Sequence, residues 1–344
     1  MVRRPLRRLT PLVLALGFVA ATLVAGMGLA RGGGGTALAE RNETLCRQIK
    51  EVHRLTDAQM ARIRAVFTKS GFIGQGNPGI TEHPMTPEQC REKVHGLGVE
   101  YADPAFEKIC GGPYMAPLYD PKTETPESAR VCIDQFEFPD VPCAYPVVWV
   151  KPIEAVEICE AMGKRLCDAH EWEGACAGRL EPPDYDFDLA RGLPPGVALQ
   201  RLRGAHNRKD ASSKSWSYGP SYRTGVCATS GRKSPGCDGG GWAKCGSNTF
   251  PDGAFPQCRS PLGVYDLNGN AAEHMSLPLR EDEMASRGRE YGYTEMKGSW
   301  FVFDAYRAHE DWCRWRAPFW HGTRVMDEHG HHNYHLGFRC CKTR

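Results

Sequence analysis

Fifteen cysteines, all of them beyond Ala39, constrain this chain more than any other feature. They are Cys46, Cys90, Cys110, Cys132, Cys143, Cys159, Cys167, Cys176, Cys227, Cys237, Cys245, Cys258, Cys313, Cys340 and Cys341, and no two have the C-x-x-C spacing of a zinc ribbon or a thioredoxin-like site. Cytosolic chains rarely carry so many, so the default reading is a disulfide framework formed outside the cytoplasm. An odd total leaves at least one thiol free or paired with another molecule. Spacing does not reveal the connectivity, and one free cysteine is a candidate for chemistry.

The N-terminus points the same way. Arg3, Arg4, Arg7 and Arg8 precede an uncharged apolar run from Pro11 to Ala30, and Ala37-Leu38-Ala39 follows as a small-x-small cleavage pattern. Residues 1–39 therefore read as a signal peptide, with an uncleaved membrane anchor as the alternative, because about 20 apolar residues also span a bilayer. Either way the protein is exported: periplasmic, extracellular, or anchored and facing outward. The expected contact with a membrane is only through that anchor.

The remaining ~300 residues suffice for one large domain or two modest ones. A net charge of +2, with acidic and basic residues interspersed, gives no electrostatic footprint for nucleic acid. Gly (38) and Pro (25) are frequent enough to favour a loop-rich, irregular α+β fold over a helical bundle. Residues 40–107 read as a small helical N-terminal region. There Met60, Ile63 and Phe67 share one face of a helix, and Thr86-Pro87-Glu88-Gln89 carries a capping box with proline in the first turn. Beyond Cys110, Val131–Phe138 alternates as a half-buried strand and Tyr145–Val150 reads as a second. A helix over Pro152–Met162 ends at Gly163, and Asp168 caps another with Glu171 as its box partner.

Five motifs in this second part resemble one family. Gly111-Gly112-Pro113-Tyr114-Met115 is similar to its opening "G-G-x-F-x-M-G". Pro146-Val147-Val148-Trp149-Val150 and Gly163-Lys164-Arg165-Leu166 through Glu171-Trp172-Glu173 match its "P-V-V-x-V" and "G-K-R-L-P-T-E-A-E-W-E". Gly263-Val264-Tyr265-Asp266-Leu267-Asn268-Gly269-Asn270 through Glu273 resembles "G-L-Y-D-M-x-G-N-V-W-E-W". Lys297-Gly298-Ser299-Trp300 and Gly337-Phe338-Arg339-Cys340 close the series as "G-G-S-[WFY]" and "G-F-R-C". In this order they resemble the formylglycine-generating enzyme, or sulfatase-modifying factor, family. The resemblance implies its compact, irregular α+β fold over residues 108–344, related to C-type lectins.

The resemblance also sets chemical expectations. Around Asp266 and Asn270 the family supplies calcium ligands, so these two are candidate metal residues, although Arg259-Ser260-Pro261 stands where the family often has asparagine. Aerobic members hold copper(I) with two cysteines in "G-G-S-[FY]-L-C-H-x-x-Y-C-x-R-Y-R". Here the first cysteine position is Val302, and Cys313 before Arg314-Trp315-Arg316 corresponds to the second. A valine cannot ligate copper, so the two-thiolate route to formylglycine is not expected. Cys313 is then expected as a thiolate ligand or nucleophile in a cleft lined by Ser299, Trp300, Arg314 and Arg316, the arginines binding a carboxylate or peptide backbone. His321, His329, His331, His332 and His335 lie close in sequence. His331, His332 and His335 are candidate ligands for copper or iron, against the alternative of a polar histidine-rich loop.

Two functional readings follow. One is an oxidative or metal-assisted modifying enzyme acting on a protein, peptide or small molecule. The other is a non-catalytic binding or scaffold module of the cell envelope, which needs no replacement for the missing cysteine.

Overall fold

The computed structural model describes residues 33–288, 290–317 and 322–344, so the apolar N-terminal run and His321 lie outside the described residues. Among the described residues no helix is long and apolar enough to cross a membrane.

Four helices come first: α1 (Gly33–His53), α2 (Asp57–Ser70), α3 (Pro87–Gly96) and α4 (Pro104–Cys110). In α2 the apolar stripe is buried as the 3.6-residue period requires, with Met60, Ile63, Val66 and Phe67 inward. Thr86 and Gln89 close the expected capping box of α3, and Thr56 and Gln59 make the same device at α2. These helices share a core with the rest of the chain. Leu45 and Ile49 of α1 and Met60 and Ile63 of α2 belong to one cluster with Val156 and Ile158 of α5 (Pro152–Ala161) and with Phe338.

The sheets are small. Strands β1 (Met115–Leu118), β2 (Val131–Asp134), β3 (Arg165–Leu166) and β7 (Cys340–Thr343) form an antiparallel sheet in the order β1-β2-β7-β3. Strands β4 (Ala272–Leu277), β5 (Tyr293–Lys297) and β6 (Leu336–Phe338) form a second sheet, β5-β4-β6, in which β4 and β6 run parallel. Between them lies α6 (Ala169–Ala177), whose Trp172 is fully buried and donates from Nε1 to Glu273 Oε2 at 3.0 Å. Two further helices, α7 (Phe187–Ala190) and α8 (Pro195–Asp210), pack beside it.

Two strand expectations change. Val131–Phe138 is a strand only to Asp134, and it is buried on both faces: Val131 and Ile133 pack with Trp172, while Cys132 is bridged to Cys110. Tyr145–Val150 forms no strand but a single bridge, Gly74 with Val148. Its N–H groups are divided among Phe138 O, Gly74 O and Asn333 O, and Trp149 sits at φ 60, so no ladder can continue.

Seven disulfides join the molecule: Cys90–Cys143, Cys110–Cys132, Cys159–Cys340, Cys167–Cys341, Cys176–Cys313, Cys227–Cys258 and Cys237–Cys245. The unpaired cysteine is Cys46, buried on α1, where burial pushes its thiol up to about 11. The expectation of a free Cys313 is therefore corrected. Its sulfur is bonded to Cys176 of α6 and offers no thiolate.

Candidate functional site

The segment after β5 carries most of the expected site. Gly298 turns at φ +74 against Leu267 O, and Ser299 is fully buried, donating to Asp311 Oδ2 at 3.1 Å. Asp311 also accepts from Trp216 Nε1 at 2.8 Å; burial outweighs these bonds and raises its carboxyl to about 6. Val302, at the expected copper position, is an apolar core residue beside Trp300, Phe301 and Phe303.

The arginines are not aimed at a cleft. Arg314 pairs with Glu181 at 3.2 Å. Arg316, 1% exposed, reaches Glu173 and Asp184 at 2.9 Å each and lies over the Tyr185 ring, which leaves it no face for a substrate. Lys297 shares Glu173 at 3.0 Å. Burial opposes the charge on Glu173, but Arg316, Lys297 and His206 outweigh it and hold the carboxyl at about 2. Glu173, Asp184 and His206 have ligand atoms within 4.8 Å of one another, the spacing of a metal site. The two cations already on Glu173 occupy that role electrostatically.

The histidines separate. His335 is buried, stacked on Trp300 at 4.8 Å, with Nδ1 unpartnered, and burial drives it down to about 3. His332 stacks on Phe72 at 5.9 Å, and His331 faces solvent beside Asn333. Among the described residues, these three do not form a set with three ligand atoms within 4.8 Å. Instead Trp300 also meets His309, 4.9 Å away, which in turn stacks on Trp315 at 5.0 Å. His309 was not foreseen, because only the fold brings it to Trp300.

A third constellation surrounds the expected calcium residues. Asp266 (φ 57) accepts the Gly253 N–H at 2.6 Å. Asn270 (φ 59) has its amide committed: Oδ1 accepts from Phe250 N at 2.8 Å, and Nδ2 donates to Glu137 Oε2 at 2.6 Å. Glu137 also accepts the Ala271 N–H at 2.6 Å. Glu273 is held by Arg339 at 2.6 and 2.7 Å, and the other Arg339 N–H groups go to Asp134 O, Gln135 O and Tyr265 O. Asp252 is fully buried, and neither of its carboxylate oxygens has a partner. Burial first, then repulsion from neighbouring carboxylates, pushes Glu137 and Asp252 well above the usual carboxylate range, and burial, with a smaller push from Glu273, raises Asp266 to about 7. Sequence reading missed Glu137 and Asp252. The available signal was the acid at Glu137 inside the apolar run Val131–Phe138; Asp252 carried none.

A model of the sulfatase-modifying factor enzyme 1-like domain matches residues 79–344. The solved crystal structure of CarF is similar over 77% of this chain and 86% of its own, at 17% identity and a TM-score of 0.24. No curated protein matches.

Proposed function

The chain belongs to the sulfatase-modifying factor family, and from that premise we propose that it is an exported binding or scaffold module in which the family's catalytic segment has become structural. The observation that carries this reading is the Cys176–Cys313 disulfide. It takes up the one cysteine of the segment that matches the copper motif. Val302 removes the other by its chemistry.

The neighbouring groups support the same reading. Ser299, Arg314 and Arg316 each bind another part of the chain, so their polar atoms serve folding. Fourteen cysteines in disulfides fit an oxidising compartment and support export. The competing reading, an oxidative or metal-assisted enzyme acting on a peptide or small molecule, needs copper or iron at His331, His332 and His335.

The test is direct. The exported protein is given copper, oxygen and a cysteine-containing sulfatase peptide, and the peptide mass is followed beside metal analysis of the protein. Unchanged peptide and no stoichiometric copper or iron are expected. An aldehyde product overturns the proposal, as does bound copper or iron that His331→Ala and His335→Ala remove.

A further inference from the structure

We infer that the Cys237–Cys245 bridge is a thiol-exchange site, at which an external thiol opens the loop that carries Trp242 while the other six bridges stay closed. This stands apart from the proposed binding role, since either can fail alone. The loop also lies outside the segment from Gly298 to Arg316 in which chemistry was expected.

Access sets this bridge apart. Exchange begins when an incoming thiolate reaches a sulfur of the disulfide, so an accessible bridge reacts before a buried one. Cys237 is half-buried, whereas both cysteines of every other bridge are buried. The incoming thiolate therefore bonds to Cys237 Sγ, the bond to Cys245 breaks, and its electron pair leaves on Cys245 Sγ, which takes up a proton. A second thiol then displaces Cys237 from the mixed disulfide. Two external thiols are oxidised to one disulfide, and the protein gains two thiols.

The same bridge closes the shortest loop. Its cysteines are 8 residues apart, against separations from 22 to 181 for the other six. In the chain-entropy account a short loop restricts the unfolded chain least, so opening this bridge costs the whole fold least. What the loop carries makes the change local. No helix or strand runs through residues 238–245. The backbone bonds there are tight turns, with Gly239 N–H on Cys237 O and the Lys244 and Cys245 N–H groups on Gly241 O, and Asn77 Nδ2 donates to Trp242 O at 3.0 Å. Cys237 and Trp242 rest on one cluster of Val148, Trp149, Cys245 and Ala271. The Trp242 ring lies 5.9 Å from that of Phe72, which is 41% exposed and stacks on His332 at 5.9 Å. The bridge thus fastens Trp242 to an exposed aromatic surface, and reduction frees the loop to leave it without unfolding the core beneath.

The experiment exposes the full exported chain, its seven bridges formed, to graded dithiothreitol under native conditions. New thiols are alkylated and the labelled cysteines mapped by peptide mass. Cys237 and Cys245 should be labelled together, at least tenfold faster than any other cysteine. Amide hydrogen exchange over residues 238–244 should rise at least tenfold on this first reduction, while that of β4 stays unchanged. Another pair labelled first or equally fast, or no labelling until the chain unfolds, overturns the exchange site. Labelling of Cys237 and Cys245 with unchanged amide exchange overturns the release of the loop. Cys237→Ser combined with Cys245→Ser should show the fast loop exchange without reductant; should that variant fail to fold, the wild-type labelling still decides.

Discussion

Glu173 is shared by two buried cations, Arg316 and Lys297, and its loss removes the carboxylate that pairs with Lys297 and leaves Arg316 with Asp184 alone. Breaking such a network from one side typically costs about 3–5 kcal/mol, so Glu173→Gln should lower the chemical-denaturation free energy by that order at neutral pH. The sign with pH follows from its depressed carboxyl. The contribution is present above about pH 4.5 and is lost as pH falls toward 2, so the variant's disadvantage should shrink across that window. Asp311 behaves oppositely, because its carboxyl is raised to about 6 from an ordinary 3.8. The folded state then holds the proton more tightly than the unfolded one, and stability falls as pH rises from about 4 through 6. Asp311→Asn should erase that fall, gaining on the order of 2 kcal/mol over wild type at pH 7; parallel stability curves from pH 4 to 7 would contradict this.

Helix α1 places Leu38, Asn42, Leu45 and Ile49 on one inward face. Leu38 packs against Gly74, and Asn42 donates to Ile73 O at 2.9 Å. The cleavage pattern Ala37-Leu38-Ala39 thus lies inside a docked helix, and cutting after Ala39 would delete the first residue of that face. A chain beginning at Glu40 should melt lower than one beginning at Gly33, and Leu38→Ala in the longer chain should reproduce most of the drop, about 2 kcal/mol. Equal midpoints would place Leu38 outside the cooperative core. The segment after β5 makes a related point about elements. Its motif residues Ser299, Trp300 and Arg316 were legible, yet their partners Asp311, His309 and Glu173 come from elsewhere in the fold or from unmarked loop positions.

Over the whole molecule, disulfides bind the C-terminal strand to the centre: Cys340 is bonded to Cys159 of α5, and Cys341 to Cys167, one residue past the end of β3. Replacing Cys167 and Cys341 together by alanine should cost about 2–4 kcal/mol. A thiol titration should find no reactive thiol in the native protein and one in denaturant, that of Cys46; two further thiols in denaturant would mean that one of the seven bridges does not form. By itself the sequence determined the family, the irregular α+β class and the disulfide-rich character, because motif order, turn glycines, capping boxes and cysteine number are local or countable properties. Only the tertiary structure decided that Cys313 is a staple and Cys46 the odd thiol, that Arg316 is spent on Glu173, and that Asp252 stands beside Glu137. Those outcomes depend on which distant residues become neighbours, and both the bonding of a cysteine and the cost of a buried charge are set by those neighbours.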